Sequence, residues 1–468
     1  MADVLERVES IAPDYGIDPI PRPDRTLSGL DLAILWGDLG VGLLVLVTGA
    51  LLVPALSLGA ALTAIVVGSV IGVALLGVAA AAGARHGVPT MVLFRPVLGI
   101  QGSWFPSALN FLQMVGWTAV ELWAMSFVAD IVSERIFGFS ARPLWLAIVA
   151  LACTLLALWG PVGVTRVWLR NFGAWVVLGI CVVLSVLVLS SGALGEAVER
   201  AGVGGWPTFG LAVDLVIAMP ISWLPLVADY TRFGRDARAA GWGTALGYLV
   251  ANVWLYALGA LLVLTSGEAP EPAGIALGVI ALAGGTFAGV IFLVGVLVGE
   301  TDEAFADLYS GAVTLQNIWP KASRRMLTVA IAAVATVLAA VLTMQLYESF
   351  LFLIGSVFIP LFGILALDLF RSRRHAIASF DEGDLLRGVR WRAFVPWVAG
   401  FAVYHWIAPS GPDWWLESVT GLLGAPLSER WAWLGASVPS FAVAFVLAAA
   451  LLPSRLSSEP PITRSAGT

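Results

Sequence analysis

Charge is scarce in this 468-residue chain: Asp, Glu, Lys and Arg together make up 12% of it, about half the share of an ordinary soluble domain. With 59% hydrophobic residues and a mean hydropathy of +0.92, so few ions cannot build a water-facing surface, and most of the surface must face lipid. Cysteine is nearly missing as well. Cys153 and Cys181 both fall inside apolar runs, which excludes a disulfide scaffold and leaves them as small packing residues. The three histidines, His86, His375 and His405, are scattered, and nothing has the spacing of a metal-ligand set. A secretory leader is also missing from residues 1–29, which are polar and proline-containing (DPIPRPD) rather than a charged start before a short apolar core.

What is present is a series of long apolar runs, each near the 20 or so residues that cross a bilayer as a helix. They predict twelve spans, at about 30–54, 58–83, 103–132, 144–162, 173–193, 209–228, 241–265, 274–300, 326–345, 347–369, 394–408 and 433–453. Basic residues orient the chain. With the N-terminus inside, only Arg135, Arg142, Arg200 and Arg430 of the 25 Lys and Arg fall in outer loops. The expected location is therefore the cell membrane, multi-pass, with both termini cytoplasmic. The expected organisation is a cytoplasmic segment 1–29, one transmembrane domain over 30–453, and a cytoplasmic tail 454–468. A net charge of −6 says little about partners for an embedded chain; the bilayer is the expected one, with no nucleic acid, and a monomer is expected.

Two spans are interrupted. The stretch Leu211–Arg235 (LAVDLVIAMPISWLPLVADYTRFGR) holds Pro220 and Pro225 with Ser222 and Trp223 between them. Proline removes a backbone donor and clashes with the preceding turn, so a break at membrane depth belongs where it lines a cavity. The first span (LWGDLGVGLLVLVTG) carries Gly37, Asp38, Gly40 and Gly42. Breaks in spans one and six fit a core of two five-helix units in inverted topology, with two further helices appended. The units would run over about 30–193 and 209–369, and the appended pair over about 394–453.

Polar side chains mark the interior. On span three, Asn110, Gln113, Trp117 and Glu121 advance by three, four and four and so share one helical face, with Trp123 nearby. That face should look into the bundle, either to meet substrate or to join helices. Trp223 lies beside unwound backbone, where an indole can stack on a flat ring; the alternative is that it fills space next to the prolines. Gly299–Gly311 (GETDEAFADLYSG) brings Glu300, Asp302, Glu303 and Asp307 after an apolar run. These are either solvated at a helix end or buried to hold a coupling cation or proton. The apolar AVTLQNIW that follows favours membrane to about Ile318. Asp38 among flanking carbonyls could ligate a hard cation or cap a half-helix.

The strings AVDLVIAMPISWLPLVADYTRF, NFLQMVGWTAVEL, ILWGDLGVGLLVLVTGALL and EAFADLYSGAV resemble the nucleobase:cation symporter-1 family, nearest its hydroxymethylpyrimidine-transporter branch, over about 30–370. The resemblance implies an all-α membrane protein of leucine-transporter-like fold, with 5+5 inverted repeats, two extra helices and alternating access. It also implies that Trp117 stacks on one face of a heterocycle, Glu121 bonds the ring edge, and Trp223 covers the other face. Gln113, Ser222 and Gly37 complete the expected binding set. Where relatives hold sodium between the first break and hydroxyls of span eight, Asp302 and Glu303 stand here. The coupling set is therefore Asp38, Asp302 and Glu303, binding sodium or a proton, with no other cofactor. The expected function is symport of a pyrimidine or purine-like ring. An amino-acid or amine carrier on the same fold is the alternative, with Glu121 as counter-ion; an intramembrane enzyme would need a nucleophile–base pair that the sequence does not offer.

Overall fold

The computed structural model describes residues 15–158, 174–283, 286–371 and 388–452. The first fourteen residues, the basic residues Arg166 and Arg170, most of the 370–393 loop with His375, and the tail 454–468 lie outside the described residues. Among the described residues the elements are helices, joined by one isolated bridge between Leu27 and Gly234.

Ser28 starts the first helix through a capping box: its hydroxyl accepts from Asp31 N at 3.1 Å, and the Asp31 carboxylate accepts from Ser28 N at 2.9 Å. Helix α1 (Gly29–Asp38) stops at the glycine-rich stretch, and α2 (Leu43–Leu51) resumes with its axis turned by 61°. Four long helices, α3 (Leu58–His86), α4 (Trp104–Phe137), α5 (Arg142–Ala157) and α6 (Ala174–Leu189), follow. The second interruption separates α7 (Phe209–Trp223), which contains Pro220, from the short α8 (Val227–Thr231). A Cβ on Gly72 of α3 would strike the Pro220 ring, so glycine there lets α7 lie against α3 at its proline.

The chain continues through α9 (Ala237–Ser266), α10 (Pro272–Leu282), α11 (Thr286–Gln316), α12 (Arg324–Ala339) and α13 (Met344–Arg371). It ends in α14 (Phe394–Ile407), the short α15 (Asp413–Leu423) and α16 (Ser437–Leu451). Helices α3, α4, α9 and α13 are each long and apolar enough to cross a membrane alone, and α1 with α2 makes a fifth span. The eighth expected span, 274–300, is corrected. Its first part is the separate short α10, and the long helix α11 runs from 286 to 316, so the acidic cluster sits at the middle of a helix instead of its end.

Polarity is inside out, as a lipid solvent requires. Val66, Leu151, Val186 and Val337 are exposed aliphatic residues, whereas Asp38, Glu121, Glu300, Asp302, Glu303 and Asp307 are all buried. Helix α9 packs on α3 and α1, α7 on α3 and α13, and α11 on α4, α12 and α5. The late helices α13, α14 and α16 form their own group. Asp214 of α7 reaches into it, accepting from Ala436 N and, at 3.0 Å, from Ser437 N at the start of α16.

At one end of the bundle the segment 15–28 is strapped across two helix ends. Ile20 N donates to Gly87 O (2.8 Å), Leu27 N to Phe233 O (2.9 Å) and Arg235 N to Leu27 O (2.9 Å). Arg232 Nη1 donates to Gly16 O at 2.7 Å, and Arg25 Nη1 to Ala84 O at 2.9 Å.

Candidate functional site

The polar face expected on α4 is turned toward α11. Asn110 Nδ2 donates to Thr314 Oγ1 at 2.7 Å, and Asn317 Nδ2 donates to Ser103 Oγ and Ser107 Oγ at 2.9 Å each. Arg95 Nε reaches Asn317 Oδ1 at 2.9 Å. This lower part of the face joins helices, the role that polar side chains commonly take in membrane bundles.

Higher on the same face the partners change. Gln113 Nε2 donates to the carbonyl of Ser222 at 2.6 Å, across to the broken span. That carbonyl is available because of the break: Leu226 N, which would bond Ser222 O in a continuous helix, bonds Trp223 O at 3.1 Å instead. The Ser222 hydroxyl turns back to Met219 O at 2.6 Å, so the serine offers its main chain and not its side chain. Gln113 thus ties the face that carries Trp117 and Glu121 to the residue next to Trp223.

The two expected indoles lie on separate aromatic walls. Trp117 meets Tyr347 and Phe350 edge-on, with centroids 6.2 and 5.4 Å away. Trp223 meets Trp36 edge-on at 5.7 Å, and Trp36 in turn touches Tyr230 and Tyr248. Edge-to-face contacts of this kind hold rings in place without covering both of their faces. Trp36 was not singled out from sequence because it sits one residue before Gly37 in an apolar run. A Cβ on Gly37 would point toward α9, 3.6 Å from the carbonyl oxygen of Gly247.

The carboxylates come together from three helices. Asp38 at the end of α1 faces Asp302 of α11. Glu121 of α4 faces Glu300 and Glu303 of α11, and one carboxylate oxygen from each of these three lies within 4.8 Å of the others. Leu43 N, the first amide of α2, donates to Glu300 Oε1. A Cβ on Gly42 would collide with the Glu303 carboxylate, so only glycine leaves room for it. Beside Glu300 a partly open void of about 20 Å³ is lined mainly by apolar side chains, among them Leu43, Leu46, Leu184 and Leu255. Glu300, one of the four carboxylates of the acidic cluster but outside the expected coupling set, thus stands beside Glu121 and Glu303, and Glu121 belongs to the acidic group as well as to the aromatic face.

Chemically, the arrangement offers flat aromatic walls, acceptors for N–H groups and hard oxygen ligands within one interior. Carboxyl groups brought this close must share a proton or a cation.

The family described as permease for cytosine/purines, uracil, thiamine, allantoin matches residues 19–425. The chain is 26% identical over 461 residues to the hydantoin permease of Microbacterium maritypicum, covering 91% of this chain and 90% of the relative. It is 25% identical over 350 residues to the cytosine permease of Escherichia coli (strain K12), covering 74% and 77%. In three dimensions it is similar to Mhp1, a nucleobase–cation-symport-1 family transporter in a closed conformation with bromovinylhydantoin bound. The TM-score is 0.77, with 21% identity and 92% and 93% of the two chains covered. At that identity the likeness shows the fold.

Proposed function

This chain belongs to the family of permeases for cytosine, purines, uracil, thiamine and allantoin, and on that premise we propose that it imports a small aromatic heterocycle by cation symport. It is a secondary transporter and not an enzyme, as its relatives are permeases. The ring we favour is an uncharged pyrimidine such as cytosine or hydroxymethylpyrimidine.

The observation that best supports this reading is the Gln113–Ser222 hydrogen bond, which ties the helix face of Trp117 and Glu121 to the residue next to Trp223. A flat ring admitted there gains stacking and dispersion from the indoles. The Glu121 carboxylate accepts from an exocyclic amine on the ring edge. The coupling cation, sodium or a proton, is taken up by the acidic group at the first break, Asp38, Asp302 and Glu303. We read the whole as twelve spans with two inverted repeats, a monomer, and both termini in the cytoplasm.

The test is uptake by proteoliposomes of radiolabelled cytosine, hydroxymethylpyrimidine, uracil and hydantoin beside phenylalanine and choline. Sodium coupling makes uptake follow an imposed sodium gradient at fixed pH; proton coupling makes it follow a pH gradient in sodium-free buffer. Uptake of phenylalanine or choline with none of the rings would overturn the heterocycle reading.

A further inference from the structure

The acidic groups at the first break divide into two sets. Residues along an α-helix turn by about 100° each, so Glu300, Glu303 and Asp307 share one strip of α11 while Asp302 lies on a different side. Asp302 meets Asp38 of α1; Glu300 and Glu303 meet Glu121 of α4.

Among the described residues no cationic side chain is recorded as acting on Glu121 or Glu303. The charged groups that act on Glu121 are Glu303, Glu300 and Asp307, and those that act on Glu303 include Glu300, Asp307 and Asp38. The other groups facing them are the hydroxyls of Tyr347 on α13 and Tyr248 on α9 and the thiol of Cys153 on α5. All are neutral or acidic. A buried carboxylate without a positive partner is costly, and three such groups need more than the amide of Leu43 to offset them.

Independent of charge, the geometry leaves ligand positions open. Glu121 Oε2, Glu300 Oε2 and Glu303 Oε1 are buried and have no hydrogen-bond partner. One carboxylate oxygen from each of the three lies within 4.8 Å of the others, roughly twice the 2.3–2.6 Å oxygen distance of a hard cation.

We propose that the transporter carries two coupling cations at separate positions, one between Asp38 and Asp302 and one among Glu121, Glu300 and Glu303. Two positive charges then cross the membrane with each uncharged heterocycle. This rests on the transport reading above and adds to it a second position and a second charge. Because Glu121 faces both the ring and the second cation, the ring docks best after that cation has neutralised the trio.

The experiment is equilibrium accumulation of radiolabelled cytosine in proteoliposomes with the potential clamped by potassium and valinomycin, sodium and pH being equal on both sides. One charge gives about tenfold accumulation for each 60 mV or so, and two charges about 100-fold. The expected result is about 100-fold for the parent and about tenfold for Glu300→Gln, a slope read at equilibrium and so independent of how fast or how tightly the variant exchanges cytosine. Omitting sodium leaves 100-fold accumulation if both cations are protons and lowers it if one is sodium; either agrees with two positions. A tenfold slope in the parent, or a 100-fold slope that survives Glu300→Gln, overturns the second position while leaving transport itself standing. Should Glu300→Gln not fold, the slope of the parent decides alone. Absence of uptake for cytosine, uracil, hydroxymethylpyrimidine and hydantoin at every potential removes the transport reading and this inference together.

Discussion

Between α1 and α2 the chain unwinds around Gly40 and Gly42, whereas between α7 and α8 it unwinds beside Pro220 and Pro225. Glycine removes side-chain bulk, so large acidic groups approach the main chain: Glu303 occupies the space at Gly42, and Glu300 takes the amide of Leu43. At the second break the helical ladder stops, with Leu226 N turned to Trp223 O, so the Ser222 carbonyl is left to an outside partner and Gln113 takes it. Carboxylates crowd the first break, and on the reading proposed above that break serves the cation while the second serves the heterocycle.

Substitutions at the two breaks should therefore fail in different ways. The largest effect is expected of Gly42→Ala, whose added Cβ takes the position of the Glu303 carboxylate. The obstacle is the end of a flexible side chain, so the fold should survive while gradient-driven accumulation disappears; normal accumulation in proteoliposomes would refute the separation of roles. Asp302→Asn and Glu303→Gln come next, each removing one of the two cation positions, so that accumulation falls from about 100-fold to about tenfold for each 60 mV or so while equilibrium exchange of bound ring persists, which counterflow measurements read directly.

At the substrate side the losses should be in affinity. Glu121→Gln replaces a charged acceptor worth about 1.5–3 kcal/mol; aminopyrimidines should weaken at least tenfold while uracil changes less, and equal losses would mark a structural residue. Trp117→Ala and Trp223→Ala each remove about 1–1.5 kcal/mol of stacking beyond area, roughly tenfold in Kd, to be measured by scintillation proximity binding. Smallest is Gln113→Ala, which leaves the Ser222 carbonyl without its partner and should cost about 1 kcal/mol, or roughly fivefold, for every ring alike.

Both breaks were legible in the sequence because glycine and proline act on the backbone locally. The stripe on α4 was legible because its spacing repeats with the helix. The eighth span was misplaced for an equally physical reason. Residues 274–283 and 286–298 are alike in apolarity, and only the pair Gly284–Gly285 separates them in the sequence, a breaker signal that the run of apolar residues on both sides masked. The carboxylates then lower the hydropathy at the middle of α11. Pairings across the bundle were the least visible. That Glu121 meets Glu300, or that Asn110 meets Thr314, depends on the rotation of α4 against α11, which no local pattern records. Gly37 shows the converse: its place in a broken span suggested the pocket, but the helix turns it toward α9.

The strap over residues 15–28 is fastened through the backbone. Its ties at Gly87, Phe233, Leu27 and Gly16 are made to main-chain carbonyls, so they do not depend on what the interior holds. Each contributes about 1 kcal/mol net, and they release together only when water replaces several at once. Parting the chain from this end of the bundle therefore means breaking several main-chain ties together, not one.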